Sequence, residues 1–339
     1  ISTEYLKPAD GLVKFTDVPG FDRGGINWNN ELYRVTGSKL VKIAIDGTVT
    51  ELGDVGGTKE QVTLTYSFDR LAIASNNNLF YYDDVNGLVQ VTDPDLGDVV
   101  DLIWIDGFFM TTDGEFLVVT ELNDPTQVNP FKYGSSEASP DPIKAVLKLR
   151  NEVYALNRYT IEVFDNTGSS GFPFERIESA QIDRGCIGTH TCTVFMDTIA
   201  FLGSAPNEAP GIWMGNNSVT TKLSTREVDL ELLKYTEDEL SEVLMETKIE
   251  KSHQFLYIHL SDRTLAYDAT ASQALGVPTW HILSSSLLGF DRYRARNIIY
   301  CYDKWYFGDS YLPKVGFFDD TNYSHYGDVV EWEFNTPII

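Results

Sequence analysis

The sequence predicts an all-β chain: a β-propeller of four-stranded antiparallel blades, seven in number, with one short helical insertion. Three observations carry this. Strand-length runs are apolar on both faces, so their sheets must lie between other sheets. Hairpin-forming dipeptides punctuate the chain at short intervals. The modules they define open near residues 24, 62, 99, 143, 190, 244 and 293, a repeat of roughly 40–50 residues that suits four strands per blade. No WD dipeptide or double-glycine signature recurs, so the repeat is one of structure rather than of letters.

Residues 1–21 read as a lead-in with one extended piece at 12–16, available as a ring-closing strand; 22–339 read as the propeller. The first module turns at Asn29-Asn30, Gly37-Ser38 and Asp46-Gly47, and the second at Asp69, the asparagines 76–78 and Asn86-Gly87. The third turns at Asp106-Gly107 and Asp113-Gly114. Its edge is then interrupted by a long loop, 123–142, with four prolines and two aromatics in exposed positions, Phe131 and Tyr133. Long loops of this kind tend to be functional. The fourth module has a Gly/Ser-rich link at 168–171, followed by Phe172 and Phe174, and the fifth a polar hairpin tip at 204–210.

Between the fifth and sixth modules lies the single helical stretch, where Thr236 and Glu239 form a capping box. The sixth module, 244–283, is the clearest. Phe255, Tyr257 and His259 face one way and Leu256, Ile258 and Leu260 the other. Its outermost strand, at 280–283, follows a loose link containing Pro278, as an edge strand tolerates. The seventh module shows three strands and takes its fourth from residues 329–334 or from the N-terminal piece. Six blades with a separate terminal hairpin is the alternative.

Fifty acidic residues against 26 basic give a formal charge of -24. Sequence-specific nucleic-acid binding is therefore not expected, since phosphates need a cationic footprint; anionic membranes are excluded on the same ground. A negative wall still lets DNA slide past. No apolar run is long enough to span a membrane and no cationic, apolar N-terminal signal is read, so neither a span nor targeting to a membrane is expected. The chain opens at Ile1 without Met and stops in what reads as mid-strand, so a fragment of a longer protein is expected.

Chemistry-bearing clusters are few. Cys186, Cys192 and Cys301 show no CxxC spacing and read as buried free thiols. His190 and Cys192 share a strand face but lack two further ligands, so no metal is expected. His259, mid-strand, reads as a satisfied core histidine. The acidic runs at 93–98 and 317–328 miss the EF-hand spacing and read as turn caps. A propeller glycosidase would need paired carboxylates roughly 5–9.5 Å apart at the central channel; Asp101, Glu246 and Asp197 are the nearest candidates. No nucleophile elbow, zinc helix, P-loop or dinucleotide fingerprint occurs. An enzyme is not expected, nor a cofactor. The run RYRAR, with Arg292, Arg294 and Arg296, is a basic island suited to an acidic partner surface.

Four segments, RGGINWNNELYRVTGSKLVKI, TIEVF, GCIGTHTC and VLMETKIEKSHQFLYIHLSDRTLAYDATASQ with Pro278 and Trp280, resemble in order and spacing the packaged DNA stabilisation proteins. These are tail accessory (hub) factors of short-tailed bacteriophages of the Salmonella type. The resemblance runs from about Phe15 to Pro337. It implies a non-enzymatic virion component, made in the host cytoplasm and joining the phage tail after packaging. By resemblance, six copies form a ring between the portal-adaptor ring and the tail needle, beside the tailspikes, and seal the portal channel. Family members carry a further C-terminal β domain and an extra N-terminal segment, which this chain is expected to lack. The resemblance transfers no catalytic residue. Partner contacts are expected at Phe131, Tyr133, Phe172, Phe174, Arg292, Arg294 and Arg296. The alternatives are a carbohydrate-binding or glycoside-hydrolysing propeller, suggested by aromatics and acids, and a scaffold propeller that binds peptides at the Phe131 and Tyr133 loop.

Overall fold

A computed structural model describes residues 7–136 and 139–333. Seven antiparallel sheets are arranged as blades in chain order, each running from an innermost to an outermost strand. The innermost strands are Asp22–Trp28, Thr63–Tyr66, Asp101–Ile105, Ile143–Leu149, Cys192–Phe195, Leu244–Glu250 and Ala295–Cys301. Each touches the next, and the last touches the first, so the ring is closed. In blade five the inner position is shared: Gly185–Cys186 and Cys192–Phe195 both pair with Thr198–Ser204, on either side of a loop at 187–191.

The doubly apolar strands have the burial that their sequence requires. Leu71–Ser75, Phe108–Thr112 and Thr264–Asp268 are buried at every position. Their side chains fill seven separate hydrophobic clusters, one in each seam between neighbouring blades. In blade six, Leu256 and Ile258 pack toward blade five, while Phe255 and Tyr257 pack toward blade seven. The core is thus a ring of interfaces rather than a single centre.

Ring closure uses the N-terminal piece. Gly11–Asp17 is the outermost strand of blade seven, antiparallel to Lys314–Asp319 with Leu12 opposite Phe318. Residues 329–333 form no strand, and Phe334, like the terminal stretch read as mid-strand, lies outside the described residues. Leu12 is fully buried against blades six and seven. Just before the strand, Asp10 meets buried Lys248 at 3.2 Å and Lys7 at 2.8 Å. The closing strand is therefore held by a ladder, an apolar anchor and an ion network that reaches into blade six.

Two expectations need correction. The helical insertion is not the only helical segment. It is two short helices, α1 (Arg226–Leu232) and α2 (Glu237–Ser241), with the expected Thr236–Glu239 capping box. The link read as loose in blade six holds a third, α3 (Ala269–Leu275), capped by Asp268, whose side chain accepts the Ala271 N–H, and ended by Gly276 at φ 70°. At two turns, α3 is too short to show a helical apolar period. The loop read at 123–142 contains a strand, Val128–Ser135, which completes blade three.

Candidate partner-binding edge

Blade three's outer strand carries an irregular edge. Val118 opposes Tyr133 and Thr120 opposes Val128, so residues 129–132 arch out over the single position Val119. Pro130, which has no N–H to give a ladder, sits in that arch. The Asn129 side chain accepts the Phe131 N–H at 3.0 Å and fixes the turn. Phe131 is left 85% exposed and Tyr133 52% exposed, with Tyr133 edge-on to Phe116 at 5.0 Å. The arch stands on a fixed base: Asp93 accepts the Val128 N–H at 3.0 Å, and the Tyr81 hydroxyl donates to the Pro125 carbonyl at 3.0 Å. Proline was the reason to read a loop here, and the bulge is how a strand accommodates it.

The other two aromatics have different roles. A Cβ on Gly134 would overlap the Phe172 ring, so that ring packs directly against the outer strand of blade three. Phe172 is half-buried and pairs with Phe174 at 5.8 Å. Phe174 is only 3% exposed and meets Phe108 edge-on at 6.0 Å. It belongs to the seam between blades three and four. As a core ring, Phe174 offers no surface to a partner in this chain.

The three arginines do not form a free island. Arg294 pairs with Asp309 at 2.9 Å and lies over the Tyr326 ring at 4.9 Å. Arg292 and Arg296 are half-buried, and their Nε atoms make no hydrogen bond among the described residues.

The carboxylates considered for catalysis hold the seams together. Asp101, 4% exposed, accepts Thr63 Oγ1 of blade two at 2.7 Å and the Val146 N–H of blade four at 2.8 Å. Burial pushes its carboxyl up to about 6. Glu246 lies 2.6 Å from His259 Nε2 and accepts the Ile298 N–H of blade seven, also at 2.6 Å. Asp197 sits in an exposed hairpin turn at φ 61°. Asp101 and Glu246 are thus spent on main-chain amides and side chains within and between blades, while Asp197 is exposed and 3.9 Å from Arg150, so the three do not form a free pair facing a sugar.

One further joint has no local sequence signature. Asp22 of blade one grips Arg34 through Nε at 2.6 Å and Nη2 at 2.8 Å, and Asn297 of blade seven donates to Asp22 at 2.7 Å. Arg34 in turn donates to the Asn297 carbonyl at 2.9 Å. A Cβ on Gly308 would overlap the Asp22 carboxylate, so glycine makes room for the joint.

The histidines and thiols are likewise structural. His259 Nδ1 is 2.9 Å from Thr264 Oγ1, which satisfies its second nitrogen. Burial pushes His190 down to about 4. Cys186 Sγ lies 3.1 Å from the Gly188 carbonyl and 2.9 Å from Thr191 Oγ1. No group of metal-ligating side chains occurs among the described residues. The acidic runs cap turns: Asp93 accepts the Asp95 N–H at 2.9 Å and Asp319 the Thr321 N–H at 2.9 Å.

Three comparisons bear on this ring and its edge. The family model described as Bacteriophage P22 Gp10, beta-propeller, matches residues 1–323. Tail hub protein gp10 of Salmonella phage P22 is 28% identical over 358 residues, covering 99% of this chain and 73% of that protein. Among solved structures, PorZ of the Porphyromonas gingivalis type-IX secretion system is similar at TM-score 0.53 and 12% identity. That match covers 97% of this chain but only 40% of PorZ. The Neurospora crassa Pan2 WD40 domain is similar at TM-score 0.56 and 8% identity, over 93% of this chain and 97% of that domain. At such identities the two structures speak for the fold alone.

Proposed function

The chain belongs to the Bacteriophage P22 Gp10 β-propeller family, and on that premise we propose that it is a structural, non-catalytic component of a short-tailed phage tail. The observation that carries this reading is a relative named as a tail hub protein, aligned along 99% of the chain. In this role the protein resides in the virion, is made in the host cytoplasm, and helps to seal the portal channel over packaged DNA. It bridges the portal-adaptor ring and the tail needle, beside the tailspikes, as a ring of six copies.

The physical properties of the chain suit such a part. A spacer under load needs stiffness, and every seam here has an apolar cluster of its own, with buried polar joints at several of them. A formal charge of -24 keeps DNA from adhering to a conduit that it must leave quickly. Phe131 and Tyr133 give a fixed aromatic edge for contact, joined in this proposal by Phe172 and by the half-buried Arg292, Arg294 and Arg296.

Virions assembled without the protein test the reading. They are expected to package DNA and then lose it, and restoring the protein should restore retention. Particles that hold their genome without it would refute the sealing role.

A further inference from the structure

The net charge is unevenly placed along the ring. Residues 60–135, which build blades two and three, hold thirteen carboxylates against two cations, Arg70 and Lys132. That stretch is less than a quarter of the chain and carries nearly half of its net charge. Both cations are already neutralised, Arg70 by Asp69 at 2.8 Å and Lys132 by Glu121 at 2.9 Å. Asp84, Asp95, Asp98, Asp106, Glu115 and Asp124 are exposed. The link that carries Asp95 and Asp98 abuts the arched strand through the bond from Val128 to Asp93.

From this juxtaposition of a held-out aromatic ring and an unneutralised acidic flank, we infer that the outer edge of blade three docks a basic protein. The docked surface bears lysines and arginines around an apolar pocket that receives Phe131. The inference rests on the tail-component reading above and adds the surface and the chemistry of its partner. An exposed ring on a braced strand loses little freedom on binding, which is the property of an interface anchor. The arch at 129–132 breaks the edge ladder, so the partner engages side chains and does not add a strand. Nucleic acid is the wrong partner for an acidic flank. A second copy is also poorly suited, because ion pairs within the chain already engage eighteen of its 26 lysines and arginines.

The test uses the purified chain against each purified structural protein of the same virion, with affinity and association rate measured at about 50 and about 300 mM salt. One basic protein is expected to bind. Phe131→Ala should weaken binding about tenfold, and Phe131→Trp should restore it. The double variant Asp95→Lys with Asp98→Lys should slow association, as should salt. Unchanged melting temperatures would show that the variants fold. Intact binding in both variants would overturn the inference and leave the tail-component reading standing. A loss of self-association in either variant would also overturn it, since the occupant would then be a second copy. If the unmodified chain bound no virion protein, both the inference and the reading would fall.

Discussion

The Glu246 carboxylate of blade six accepts the main-chain N–H of Ile298 in blade seven at 2.6 Å, so a side chain takes the place of a sheet hydrogen bond across a seam. The same carboxylate satisfies His259, which would otherwise be a buried, half-bonded ring. Glu246→Ala leaves both partners unmet. Each unmet group costs about 1–3 kcal/mol. Urea denaturation should show a loss in that range or above for Glu246→Ala, and a smaller one for Glu246→Gln, which keeps one acceptor.

Arg34 and Asp22 are both removed from water. Breaking such a pair from one side is expected to cost about 3–5 kcal/mol, because the surviving charge is stranded. Arg34→Met should show this loss, and the double variant Arg34→Met with Asp22→Asn should recover part of it. A double-mutant cycle by chemical denaturation measures the difference. Additive losses would contradict the coupling.

Stability should fall on acidification. Burial pushes His190 and His325 down to about 4, whereas an unfolded histidine titrates near about 6.5. The unfolded chain then takes up the extra protons between those values, so stability is lost as pH falls through that window. Asp101 acts in the opposite sense. Its carboxyl is pushed up to about 6 by burial, so the folded chain holds the extra proton and acidification relieves a cost. Between pH 7 and pH 4.5, as rough bounds of the window, melting temperatures should drop. His190→Gln and His325→Gln should each shrink the drop, and Asp101→Asn should deepen it.

The closing strand should be the first element to open. Leu12 is fully buried and is the main apolar anchor of a strand paired on one side only. Leu12→Ala is expected to cost about 2–5 kcal/mol. Hydrogen exchange should then rise first in Gly11–Asp17 and Lys314–Asp319. A uniform rise over all seven blades would count against this order.

All three cysteines are free and buried. Cys301 is pushed up to about 11 by burial, and Cys192 is raised by its contact with Cys186 and by burial. Thiolate is the reactive form; against the push of burial, Cys186 is shifted the other way by its hydrogen bonds, but it is fully buried. With no access to the interior, the native protein should be inert to a thiol reagent over minutes and show three reactive groups in denaturant. A fast stoichiometric reaction in the native state would contradict this.

Much of the fold was legible because blades advertise themselves locally. Leu256 and Ile258 pack to one side and Phe255 and Tyr257 to the other, as alternation along a doubly apolar strand dictates. Asn29-Asn30 and Asp106-Gly107 adopt the left-handed turns that their residue types favour. Met196-Asp197 and Tyr302-Asp303 make similar turns without that chemistry, because the paired strands impose them. The outer strand of blade three was hidden by Pro130 within it and by the prolines on either side. Phe174 follows a Gly/Ser-rich link with no periodicity to mark it as a core position, yet it is buried in the seam. The joints at Asp22, Asp101 and Glu246 were illegible for a different reason: each joins residues of different blades, 38 or more positions apart in the chain, and the one at Asp22 also needs the ring to close.

That closure has a consequence for the order of events during synthesis. Gly11–Asp17 leaves the ribosome before every other strand of the ring, yet its pairing partner Lys314–Asp319 follows roughly 300 residues later, or about 15–60 s at ordinary elongation rates. For that interval the closing strand is an unpaired edge attached to a growing ring. The nascent chain depends on timing as well as contacts, and a ribosome that stalls within blade seven would release a propeller with an open seam and a sticky end.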